Sequence, residues 1–343
     1  MTSRINPSMN STPGPNEGKV GVDTEASRSG TSDLALDADT DTEAEVFGTS
    51  KRDRKRESAA AASQARVSGG AKVLIYAVLV FLTVVFLGPI FFILLNSFKQ
   101  KFSISNNPFA LPLGDMWAGF ENYITGIQGE GFGMAIVWSF VITILSVAAI
   151  VFFSSMTAYY ITRVKTWWTA LLYYLFVFSM VIPFQMVMFP TVAIADRLSL
   201  DNPLGMVVLY MGFGAGLSVF MFAGFVKSIP LEIEEAAVID GCSPLTTFFR
   251  VVLPMLKPTA ITVAILNAMW VWNDYLLPYL VIGLSTPYRT IPVVIQQFVG
   301  SQGNRDMGAM MAMLVLAIIP IVIFYMSAQK HIVEGVAAGA VKG

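Results

Sequence analysis

The stretch EIEEAAVIDGCSPLTTFFRVVLP, Glu232 to Pro254, decides how this chain is read. It lies between two long apolar segments and carries much of the charge of the second half of the protein. Its local chemistry spells helix, turn, helix. Pro230 fits an N-terminal helix position, where a missing N–H costs little. Glu232, Glu234 and Glu235 fall in the first turn or two, where negative charge complements the helix dipole. Ala236, Ala237, Val238 and Ile239 form a compact, mostly apolar run. Gly241 supplies the left-handed conformation that closes a helix. Ser243 then caps a second helix that has Pro244 at its first position, and Pro254 and Pro258 punctuate its end. Spacing alone leaves two readings open: a knob of small residues that docks into a groove, or an ordinary helical loop.

The chain around this stretch is oily. Of 343 residues, 55% are hydrophobic and 13% charged, against roughly 25% charged in soluble domains. That composition excludes an ordinary soluble enzyme and places the chain in a membrane. A single cysteine, Cys242, rules out an intramolecular disulfide and a cysteine metal cluster, and a single histidine, His331, rules out a multi-histidine site. Residues 1–70 are rich in Ser, Thr, Asp, Glu, Gly and Ala and nearly lack aromatics, so they read as a disordered tail. No apolar run of signal-peptide length lies in that tail. Its basic cluster, Lys51 to Arg56, suits anionic lipid and a topology signal, or is a solvated charge run.

Six spans follow, at about 72–97, 132–159, 166–190, 203–226, 257–282 and 310–328. Each is about as long as, or longer than, the roughly 20 residues that a hydrocarbon core requires. Gly88-Pro89 is expected to kink the first of them. Connections rich in Lys and Arg (Arg163 and Lys165; Lys227, Arg250 and Lys257; Lys330 and Lys342) fall on one side with the tail, which places both termini and Glu232–Pro254 in the cytoplasm. The bias is moderate, because Lys99, Lys101, Arg197, Arg289 and Arg305 lie on the other side. The expected fold class is therefore an all-α membrane protein: a tail of 1–70 and a transmembrane domain of 71–343, with the loop 230–256 on the cytoplasmic face.

No catalytic constellation stands out, and no phosphate-binding loop of the GxxxxGK[ST] type is present. Uphill transport would need another chain or an ion gradient as its energy source. Glu232, Glu234, Glu235 and Asp240 read as a solvated helix face. Within the spans, polar residues are costly and draw functional hypotheses. Trp272, Asn273 and Asp274 sit near the outer end of the fifth span, Asp274 roughly 25 Å from Lys257 at 1.5 Å per residue. Asn267 and Asn273 are expected on related faces, and Gln185 lies in the third span. These residues either line a hydrophilic passage, where aromatic faces and amides suit a sugar, or make interhelical hydrogen bonds or sit at the aromatic belt. The methionines read as adaptable packing.

Glu235-Ala236-Ala237, Gly241 and Leu253-Pro254 resemble the EAA loop of ABC importer permeases. The string from Ile229 to Pro258, WNDYLLP at Trp272–Pro278 and the ending VEGVAAGAVKG are similar to the smaller permease subunit of maltose-type carbohydrate importers. The likeness runs from about Lys72 to Gly343. It implies a type I importer permease fold in a bacterial cytoplasmic membrane, paired with a second permease chain. Two ATPase subunits, an extracytoplasmic sugar-binding protein and membrane lipid would complete the set of partners, with no nucleic acid. It implies that ATP and Mg belong to the ATPase chains, so that this chain is a non-catalytic subunit with no cofactor or metal of its own. Glu235, Ala236, Ala237, Asp240, Gly241 and Pro254 would couple to the ATPase, with Glu235 and Asp240 meeting its basic residues. Glu334, Gly335, Gly339 and Lys342 would reach the interface between the two ATPases, although by composition the tail from Gln329 could simply fray. Other readings consistent with the residues are a permease for a non-sugar solute, an ion-coupled carrier and a membrane scaffold.

Overall fold

The computed structural model describes residues 69–129, 131–283, 286–298 and 306–340, with side chains up to residue 330. The expected tail therefore lies outside the described residues, except that Gly69 and Gly70 already belong to a helix. Compactness separates Met1–Tyr76 from Ala77–Gly343, and the packing below concerns the second unit. Every described element is helical apart from one isolated bridge, Lys99 to Trp117. Four helices are long and apolar enough to cross a membrane, or six if each of two bent pairs is one span.

Helix α1, Gly69–Ser97, runs unbroken through Pro89. At 1.5 Å per residue its 29 residues extend about 43 Å. The segment after it folds back on short helices α2 (Lys101–Asn106) and α3 (Glu121–Gln128). Lys99 ties this segment together by donating from Nζ to the carbonyls of Asn107 and Pro108, both at 2.9 Å. Burial pushes the pKa of that amine down. Asn122 donates to the carbonyls of Ser97 and Lys99, and the Phe98 and Trp117 rings stack.

Helix α4, Phe132–Arg163, is the longest apolar element of the bundle's centre and packs most extensively against α7, Pro203–Val226. Asn202 caps α7, accepting from the Gly205 N–H, and Pro203 occupies its first turn. Small residues let these backbones approach, as in membrane bundles generally. A Cβ at Gly214 would stand 2.6 Å from Ile150 Cδ1 and 2.8 Å from Asn267 Oδ1.

Two expected spans are broken. The third, expected as one helix over 166–190, is α5 (Trp167–Ser179) and α6 (Phe184–Arg197), bent by 108°. Pro183 sits extended at the joint, where it denies an N–H to the helix and disfavours helical geometry in the residue before it. The fifth, expected over 257–282, is α10 (Lys257–Asn273), which stops at an extended Asp274 before short turns over 276–283. Helix α11, Ile291–Gln297, follows, and its first N–H is taken by the Ser139 hydroxyl of α4 at 2.8 Å. Helix α12, Met307–Ala340, contains the sixth expected span and continues helically into the expected tail as far as Ala340.

Three apolar clusters hold the bundle. One joins Ile150, Phe222, Val226, Phe248, Leu256 and Val263 at the end where α4 and α7 finish. A second gathers Phe132, Trp272, Ile291, Val294 and Met313. The third sets Tyr210, Val271, Leu277 and Ile282 against Ala195 of α6.

Candidate coupling loop and span interior

The quoted stretch forms two short helices, α8 (Leu231–Ile239) and α9 (Pro244–Met255). Pro230 precedes α8 in an extended conformation, and Glu232 and Glu234 occupy its first turn. Gly241 has φ +83° and nothing near its absent Cβ, so its requirement is purely one of backbone. Cys242 N–H bonds the Ala237 carbonyl and Gly241 N–H the Val238 carbonyl, both at 2.9 Å. That pair of bonds is the Schellman closure of a helix end. Ser243 accepts from Thr246 N–H and Pro244 opens α9. The expected end at Pro254 is displaced: Pro254 lies inside α9, which contains a π turn over Phe248–Val252 and bends by 75° into α10.

The outer surface of α8 is mixed. Glu235, Ala236, Asp240, Gly241 and Pro254 are exposed, and Ala237 is buried against the bundle. Ile239 at the tip is 86% exposed, with Val238, Leu231 and Leu245 also open.

Glu234 departs from the expected solvated face. Its side chain is 8% exposed and paired with Arg163 at the end of α4. Arg163 Nε donates to Oε1 at 2.8 Å, and Tyr159 donates its hydroxyl to Oε2 at 3.0 Å. Breaking such a buried pair from one side costs about 3–5 kcal/mol, because the remaining charge is left uncompensated. The sequence reading used Arg163 only as a topology signal and did not single out Tyr159. Their spacing of four residues on one helix face was the available signal, but nothing local says that Glu234 lies across from it.

In the interior, the candidates separate. Asn267 is buried and donates to the Ser218 hydroxyl of α7 at 3.1 Å and to the Val263 carbonyl at 2.8 Å. It is an interhelical tie. Asn273 is exposed and donates to Met269. The expectation that the two share a face fails, because six residues turn a helix by about 600°, leaving them about 120° apart. Asp274 closes the break after α10: its carboxylate accepts the Leu276 N–H at 3.1 Å and the Tyr210 hydroxyl at 3.0 Å. Tyr210 is a further residue that sequence reasoning missed. Trp272 is buried edge-on against Phe140, 4.8 Å between ring centroids. It also borders a groove of about 510 Å³ lined almost wholly by apolar side chains of α4, α10 and α12. Gln185 is exposed in the first turn of α6, just after the 108° joint. The structure thus brings Trp272 and Asp274 together at one helix break and leaves Asn273 and Gln185 open. Glu334, Gly335 and Gly339 fall on the final turns of α12, where only the backbone is described, and Lys342 lies outside the described residues.

With this geometry in place, comparison with known proteins is informative. Residues 150–337 match the family of binding-protein-dependent transport system inner membrane components. A probable starch degradation products transport system permease protein of Thermoanaerobacterium thermosulfurigenes is 42% identical over 76% of this chain and 93% of its own length. A multiple sugar-binding transport system permease protein of Streptococcus mutans is 35% identical over 74% and 91%. Among solved structures, a chain of a bacterial ABC transporter involved in the import of the acidic polysaccharide alginate superimposes with a TM-score of 0.65. It shares 21% identity and covers 77% of this chain and 98% of that one, a likeness of fold.

Proposed function

Because the chain belongs to the family of binding-protein-dependent transport system inner membrane components, we propose that it is the permease subunit of an ATP-driven ABC importer for a sugar or oligosaccharide. The named relatives, one for starch degradation products and one for multiple sugars, support the sugar class. In this reading the chain forms half of the pathway and pairs with a second permease. Two ATPase subunits carry ATP and Mg, and an extracytoplasmic binding protein delivers substrate. Catalysis belongs to the ATPases, and this chain contributes pathway and lever. Both termini and the loop 230–256 face the cytoplasm.

The observation that carries the reading is the α8 knob, closed at Gly241 and presenting Ile239 and Val238 beside Glu235 and Asp240. An apolar tip with flanking acids suits a cleft in a partner that carries basic residues. The exposed Gln185 and Asn273 are the pathway candidates in the sense of groups available to a hydroxylated solute. Asp274 and Trp272 shape the break beside them. Glu334, Gly335, Gly339 and Lys342 would meet the ATPase pair at the end of α12.

The test is purification of the intact chain from native membranes in mild detergent. A nucleotide-hydrolysing chain and a second permease are expected to co-purify, and malto-oligosaccharides with the binding protein should raise ATP hydrolysis. A chain that purifies alone and moves solute alone would overturn the proposal.

A further inference from the structure

Glu234 is held in a way that no neighbour on α8 matches. Both of its carboxylate oxygens are taken by one face of α4, Oε1 by Arg163 and Oε2 by Tyr159. The same guanidinium reaches back through Nη2 to the Ile229 carbonyl at 3.0 Å, in the turn that leads from α7 into α8. One arginine therefore binds the entry to the knob and the knob itself to a single span. Little water reaches the pair, so salt screens it weakly, whereas exposed ion pairs contribute little to rigidity.

One side of α8 borders open space. A groove of about 530 Å³ runs along it, lined among others by Tyr159, Leu231, Val238, Ile239 and Thr247. Thr247 Oγ1 is buried with no hydrogen-bond partner at this edge. The ion pair ties α8 to α4 beside this open groove. Helix α4 is 32 residues long and unbroken, and it packs along α7 as no other pair of helices does. What moves its end moves the bundle's centre.

We infer that Arg163 and Tyr159 are positioning residues that lock the coupling helix to the end of α4 through Glu234. A displacement of the knob then turns that span instead of flexing the loop around it. The inference rests on the reading of α8 as the element moved by a nucleotide-hydrolysing partner.

The experiment uses the complete transporter, carrying Cys242→Ser and Met134→Cys. Met134 is exposed in the first turn of α4, at the opposite end of that helix from Arg163. Labelling of the introduced thiol by a water-soluble maleimide is compared with and without ATP and orthovanadate. In the otherwise wild-type complex, nucleotide is expected to change the labelling rate. With Glu234→Ala or Glu234→Gln that change should shrink at least about fivefold, the lower end of ordinary coupling strengths. Co-purification of the ATPase and the amount of trapped nucleotide should stay within about twofold. The charge reversal Arg163→Glu with Glu234→Arg should restore about half of the change, as coupled neighbours do in a double-mutant cycle. An undiminished change in assembled Glu234 variants overturns the inference. Loss of assembly in both variants also overturns it, since the pair would then be structural only. If no ATPase accompanies the wild-type chain, the reading beneath it fails, and that result is visible before any variant is made.

Discussion

Gly241 and Glu234 lie seven positions apart and obey different logic. Gly241 is needed for its backbone alone, since a Cβ would meet open space but φ is +83°. A left-handed conformation costs other residues about 1–2 kcal/mol, and β-branched ones suffer most. Gly241→Val is therefore expected to strip the ATPase from the purified complex while the chain still inserts in the membrane, and Gly241→Asn is expected to be tolerated. The ratio of ATPase to permease in pull-downs measures this, and a Gly241→Val chain that keeps its partner refutes it. Such a residue is legible in sequence because its conformation is a property of the chain next to it. Glu234 is not, because its partners are 71 and 75 residues away. A string of acids beside alanines looks solvated until the helix opposite is placed.

Among the elements, the helix-turn-helix and the spans at 132–159 and 203–226 were readable from caps and apolar runs. The real helices, Phe132–Arg163 and Pro203–Val226, differ by a few residues at most. The breaks in the third and fifth spans were not placed. Hydropathy averages over a window and cannot tell a straight helix from one bent by 108° with the same composition. Asp274 shows why breaks persist in a membrane: its carboxylate and the Tyr210 hydroxyl satisfy groups that lipid would leave unpaired. The end of α12 supplies a prediction at this scale. Helix Met307–Ala340 runs from the span into the final segment without interruption, so removing residues 336–343 shortens an element and deletes none. That truncation is expected to insert normally and to lower coupled ATP turnover several-fold, within the ordinary range of coupling energies. Normal sugar uptake by the truncated chain would remove the tail from the coupling apparatus.

At the scale of the unit Ala77–Gly343, the described helices form a bundle centred on α4 and α7, with the α8 knob at the end where those helices finish. Cys242 is partly exposed in the turn of that knob and is the chain's single cysteine. A membrane-impermeant maleimide is therefore expected to label inside-out vesicles of the isolated permease readily, and right-side-out vesicles at least about tenfold less if the basic loops face inward as charge bias directs. Equal or reversed labelling would invert the topology and with it the coupling reading.

The sequence by itself determined the solvent, the class and the helix-turn-helix of residues 231–255. Apolar length, the glycine closure and the serine cap act on neighbouring residues, so they are written in order along the chain. Only the tertiary structure decided which polar groups are spent on holding the bundle and which stay open. Asn267, Asp274 and Glu234 turned inward to partners on other helices, and Asn273 and Gln185 did not. The physical reason is that a polar side chain in an oily bundle takes its meaning from whichever donor or acceptor lies across the helix interface, and that neighbour is set by packing, not by adjacency in the chain.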